Sequence, residues 1–177
     1  MLFDTVQTLI DEDRYRDAIS LLRSILDNNP DHMDVYVALI YCYGILQAEF
    51  ALDEEESKRI LNESSELFNK AYSLFKDNAD FLHYAGFMID LGEWWYGQEL
   101  DFGQKMFYEA YLKCPDNILY QSALYQNADD NDGLERYHER LVNYIEEKGS
   151  SFITDHGPLG VYYYRCCIEP YEKPHLK

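Results

Sequence analysis

The chain has 177 residues, 47% of them hydrophobic, which suffices for one ordinary domain with its own core and is too apolar for a disordered acidic tail. Asp and Glu number 33 against 15 for Lys and Arg, a formal net charge of -18. Such a field repels phosphate backbones and anionic lipid and draws in basic surfaces, so direct nucleic-acid binding is not expected. The excess is spread along the chain: residues 1–60 carry 13 acids and 5 bases, 61–120 carry 10 and 4, and 121–177 carry 10 and 6.

In chain order, Leu2, Val6, Leu9 and Ile10 predict a short amphipathic helix that ends at Asp11-Glu12-Asp13. Tyr15, Ala18, Ile19, Leu22, Ile25 and Leu26 recur at three-and-four spacing and place a second helix over 14–28. Asn28-Asn29-Pro30-Asp31 breaks it, because proline disfavours a helical residue before it and has no N–H to donate. Val35, Tyr36, Leu39, Ile40 and Tyr43 resume the stripe on a helix over 33–48.

Asp53-Glu54-Glu55-Glu56 reads as a loop entering a helix N-terminus, where carboxylates suit the helix dipole. That helix spans 56–75, with Ile60, Leu61, Leu67, Phe68, Ala71, Tyr72 and Phe75 apolar, and turns at Lys76-Asp77-Asn78. The next covers 79–91, with Ala85-Gly86 supplying small residues for a close neighbour and Gly92 as its C-cap. The connection Glu93-Trp94-Trp95-Tyr96-Gly97 leads into a helix over 98–113, closed by Cys114-Pro115-Asp116-Asn117. Residues 118–126 open a further helical unit. After the loop at 129–133, Leu134, Tyr137, Leu141, Tyr144 and Ile145 form an amphipathic helix, with Asp132 as N-cap and Glu135 at capping-box spacing. A capping helix over 157–170, stopped by Pro170, ends the fold.

The recurring order of helix, proline-type turn and helix, with a small residue where helices approach, resembles the tetratricopeptide repeat. The likeness covers residues 1–126 as about three degenerate units. Their turns at Pro30, Lys76 and Pro115 fall 46 and 39 residues apart, longer than the family's usual spacing of about 34. The family's tryptophan position holds Tyr36 and Leu82 here; Gly86 matches its small-residue position, and Ile40 replaces it in the earlier unit. The expected architecture is thus all-α: stacked antiparallel helix hairpins forming a TPR-like α-solenoid with a C-terminal capping helix. The whole chain, 1–177, is expected to be a single helical-repeat domain. Its repeat-like units would cover about 1–32, 33–78 and 79–117, with 118–177 a degenerate unit and cap. By resemblance, such repeats bind peptides or partner domains on a concave face and are rarely catalytic.

The candidate chemistry is sparse. His32, His83, His138, His156 and His175 are scattered, and Cys42, Cys114, Cys166 and Cys167 form no Cys-x-x-Cys pair. No Gly-rich phosphate loop, nucleophile elbow or zinc-protease motif occurs. No catalytic residue, cofactor or metal ligand is therefore expected. An EF-hand frame over 128–139 would use Asp130, Asp132, Gly133 and Glu139, but Ala128 holds its first ligand position. A calcium-responsive protein or an enzyme using these carboxylates is the distant alternative.

Aromatics amid acids suit recognition of Arg- and Lys-rich surfaces, through cation–π contacts and charge complementarity. The expected contact residues are Asp53, Glu54, Glu55 and Glu56, with Trp94, Trp95, Tyr96 and Tyr41. The segment MLFDTVQTLIDED lacks a basic n-region and a long apolar core, and no run approaches the roughly 18 apolar residues of a span. A cytoplasmic protein without membrane contact is the expectation. A small, acidic, non-catalytic chain looks like the immunity proteins that neutralise basic nuclease toxins. It is also similar to chaperones and adaptors that hold a secreted or regulatory client.

Overall fold

A computed structural model describes residues 2–125, 131–148 and 158. The regular structure among those residues is all helical, with no strand. The α-helices are α1 (Leu2–Asp11), α2 (Tyr15–Asn28), α3 (Met33–Glu49), α4 (Glu54–Phe75), α5 (Ala79–Asp90), α6 (Phe102–Lys113) and α7 (Asn131–Lys148). Two 3-10 turns, Glu93–Tyr96 and Tyr120–Leu124, lie between them.

The centre of the fold is α3. It packs against α2, α4 and α5, while α1 rests on α2 and α6 on α5. With neighbours on several sides, α3 has no solvent face, and every residue from Val35 to Leu46 is buried. A helix buried all round must be apolar all round. Tyr36, Leu39, Ile40 and Tyr43 therefore share the core with Val37, Ala38, Cys42 and Ile45, which the one-stripe reading left outside it.

By contrast, α4 is amphipathic, burying Ile60, Ser64, Phe68 and Ala71 at helical spacing along one side of its 22 residues. Asp53 caps its N-terminus, accepting from the Glu56 amide at 2.8 Å, and Asn78 caps α5 the same way through the Phe81 amide at 3.0 Å. Contact between α5 and α6 is close because neither backbone carries a Cβ at the crossing. A Cβ on Gly86 would lie 3.0 Å from Met106 Cβ, and one on Gly103 only 2.4 Å from the Asp90 backbone nitrogen. Gly86 thus has the role expected of it.

Several boundaries differ from the sequence reading. Leu91, not Gly92, caps α5, and the Gly92 φ of -179° is ordinary extended backbone. Gly92 is required instead by the Trp95 ring, whose Cε3 would be 2.4 Å from any Cβ there. Residues 98–101 are not helical, and α6 starts at Phe102 after Asp101 at a φ of 67°. The unit after Asn117 begins as a 3-10 turn, with Tyr120 hydrogen-bonded to Asp80 of α5. Because α7 starts at Asn131, Asp132 and Gly133 lie inside its first turn rather than in a loop before it. Tyr137 stacks on Tyr125 with ring centroids 5.1 Å apart and docks α7 on the preceding turn. The predicted capping helix over 157–170 lies outside the described residues except for Pro158, which is helical and buried.

Candidate functional site

The 3-10 turn Glu93–Tyr96 links α5 to α6 and is fastened from several directions. Tyr96 is fully buried, and its hydroxyl donates to the Ile40 carbonyl of α3 at 2.8 Å. Burial pushes that phenol well above its ordinary pKa, so it remains a donor. Its place depends on Gly44, where a Cβ would lie 2.5 Å from the Tyr96 hydroxyl oxygen. The Ser64 hydroxyl of α4 donates to the Trp95 carbonyl at 2.5 Å, and Gln98 Nε2 donates to Asn69 Oδ1 of α4 at 3.3 Å. Glu93 is buried and accepts the Asp101 amide at 3.2 Å, while Gly97 leaves the turn with a φ of 67° that favours glycine.

Such fastening leaves Trp94 outside. It is 65% exposed, and the edge of Trp95 lies against it at 5.5 Å between centroids. Leu91 and Leu100 of the same connection are exposed as well. Burial, together with the charges of Glu93 and Asp101, pushes the Asp90 carboxyl above the usual carboxylate range, so these three acids crowd one another at the base of the turn. From Asp77 to Gln104 the chain contains six acids and no Lys or Arg.

The expected contact residues therefore divide. Trp94 stands in solvent and Trp95 is half-buried against Gly92. Tyr96 is core, and so is Tyr41, which is 5% exposed and lies 6.4 Å from the Tyr15 ring. Neither tyrosine can meet a partner on the surface. Tyr41 escaped the sequence reading because it lies off the main stripe of a helix whose other faces are also covered. Tyr96 escaped it because the glycine that admits its hydroxyl is 52 residues away.

The acidic quartet lies at the other region of α4. Asp53 is a cap, Glu54 pairs with Lys58, and Glu56 pairs with Arg16 at 2.8 Å and with Arg59 at 3.7 Å. The hydrogen bond from Arg16 holds the Glu56 carboxyl below the usual range. Glu55 is exposed, with no hydrogen bond or ion pair to the described residues. Glu56 precedes Ser64, where the Trp95 turn is fastened, by eight residues, about 12 Å of helix. The two groups thus flank α4 without touching.

Among the described residues, no group of three His, Cys, Asp or Glu is placed to hold a metal ion. Of the EF-hand frame, residues 131–139 form the start of α7 rather than a ligand loop, and Asp130 lies outside the described residues. Among the described residues, no helix is long and apolar enough to cross a membrane. His83 is fully buried amid the rings of Tyr84, Phe107 and Tyr120 at 5.0–5.4 Å between centroids, a packing position on α5. No protein-family model, curated protein or solved structure matches the chain.

Proposed function

We propose that this chain is a non-catalytic binding protein that captures a basic protein partner stoichiometrically, with Trp94 as its anchor. The observation that carries this reading is an exposed tryptophan on a turn fastened to α3 and α4, within a stretch of six acids and no bases. A large side chain held out by a rigid support loses little entropy on binding, and an indole face in an acid-rich stretch suits a guanidinium or ammonium. The net charge of -18 would steer the encounter and Trp94 would slow dissociation.

In its most concrete form the partner is a basic nuclease-type toxin, and the chain an immunity protein whose carboxylates overlie the groove meant for nucleic acid. Chaperoning of a secreted or regulatory client is the second form of the same activity. A tetratricopeptide-like stack suits either. In such a stack α1 would pair with α2, α3 with α4 and α5 with α6; these pairs are in contact, as is α2 with α3.

Affinity capture from the native host at low and raised salt tests the reading. One basic protein at 1:1 stoichiometry, released by salt, is the expected result. Loss of nuclease activity in the captured protein on adding the chain would select the toxin form. Recovery of no partner, or of one that resists salt and is not basic, would contradict the reading.

A further inference from the structure

One concave site between helices is set against the charge of the rest of the molecule. Where α2, α3 and α4 meet, a cleft of about 240 Å³ is walled by Arg16, Arg23, Arg59, Tyr43 and Glu63 over an apolar base of Ile19, Leu46 and Ile60. Three of the chain's 15 basic residues line it, against one of its 33 acids.

The charged groups hold one another in place. Arg23 donates to the Tyr43 hydroxyl through Nη2 at 2.6 Å and Nε at 3.0 Å, and Nη2 also reaches Glu63 at 3.2 Å. The Tyr43 hydroxyl in turn donates to Glu63 at 2.8 Å, and Arg59 Nη1 pairs with the other Glu63 oxygen at 3.1 Å. Arg16 is bound through its Nε to Glu56, just outside the cleft. Burial, with the bond to Glu63, pushes Tyr43 up to about 12, so it keeps its proton at neutral pH.

Three guanidiniums therefore face two carboxylates, one positive charge in excess. A seam whose only task was to join α2 to α4 would balance its charges, and in so acidic a chain an unbalanced cationic cleft is the exception. Arginines already fixed by Glu56, Glu63 and Tyr43 lose little freedom on taking a further oxygen ligand. Arg23 Nη1 and Arg59 Nε, which those bonds leave open among the described residues, can each donate to a carboxylate, and a single negative charge matches the excess. A dianion would instead leave Glu63 facing surplus negative charge. The apolar base takes the rest of the molecule, and 240 Å³ is smaller than the sites of drug-sized ligands, which start near 300 Å³.

We propose that the cleft between α2, α3 and α4 binds a small monocarboxylate with an apolar body, its carboxylate on Arg23 and Arg59 and its apolar part on Ile19, Leu46 and Ile60. The site is separate from the Trp94 turn, and it stands whether or not a protein partner exists.

Methyl NMR of the full chain, titrated with sodium benzoate, inorganic phosphate and benzylamine in turn, tests it. Benzoate should shift the Ile19, Leu46 and Ile60 methyls saturably with a Kd of about 1 mM or tighter. Phosphate and benzylamine should leave those methyls unmoved. Arg59→Gln, at an arginine 58% exposed, should keep the fold and weaken benzoate about fivefold or more. Arg23→Gln should weaken it further, read only if the melting curve shows a folded chain. Absence of saturable methyl shifts with benzoate would overturn the proposal, as would phosphate or benzylamine binding as well as benzoate, or full affinity in folded Arg59→Gln.

Discussion

Two neighbouring helices, α3 and α4, show what burial does to a sequence pattern. The 22 residues of α4 bury four on one side and give the rest to solvent, ion pairs and the walls of a cleft. The 17 residues of α3 bury twelve in succession and leave no face free. The difference arises from position, since α3 touches α2, α4 and α5. Stability is concentrated in α3, whereas the exposed groups offered for binding, Trp94 and the cleft arginines, sit on the elements around it.

The first way to break this contrast is at the core. Leu39→Ala on α3 should cost about 2–5 kcal/mol, because packed neighbours refill such a cavity only in part. Glu55→Gln on the solvent face of α4 should stay within about 0.5 kcal/mol. Denaturant titration of both variants checks this, and equal effects would deny α3 its central place.

A smaller loss is expected where backbones meet. Gly103→Ala drives a Cβ to 2.4 Å from Asp90 backbone, so α5 and α6 must part at a cost of about 1–3 kcal/mol, seen as a lower midpoint at unchanged slope. Smaller again is Tyr96→Phe, which deletes the bond to the Ile40 carbonyl and should cost about 0.5–1.5 kcal/mol.

The pH dependence should be gentlest. Burial lowers the His138 pKa below its ordinary 6.5, so the unfolded chain binds the proton first and stability falls as pH drops below about 6.5. Glu56, lowered by Arg16 from its ordinary 4.5, contributes stability that is present above 4.5 and lost as pH falls through its folded pKa. Melting temperatures from pH 7 to 3 should show His138→Gln flattening the upper part of the decline and Glu56→Gln the lower part.

Much of the helical order was legible in the chain. Apolar spacing marks α2 and α4, Pro30 and Lys76-Asp77-Asn78 mark the breaks, and Gly86 marks a close crossing; the run read as a loop before a helix at 56 is helical from Glu54, with Asp53 as its cap. What was hidden depended on distant residues. The periodicity of α3 is masked by burial on all sides, and Gly92 serves the Trp95 ring rather than a helix end. Within the candidate site, Trp94 and Tyr96 are alike in sequence context and opposite in exposure, a distinction made by Gly44 and Ile40. The arginine cleft collects residues from three helices between positions 16 and 63, a juxtaposition no local pattern encodes.

The most direct test of the binding account is Trp94→Ala, with stability and capture of the basic partner measured on the same preparation. The account predicts a melting curve within about 0.5 kcal/mol of wild type and a partner lost or weakened by tenfold or more, since exposed anchors carry binding rather than folding energy. Full capture by the folded variant, or loss of stability in step with loss of capture, would contradict it.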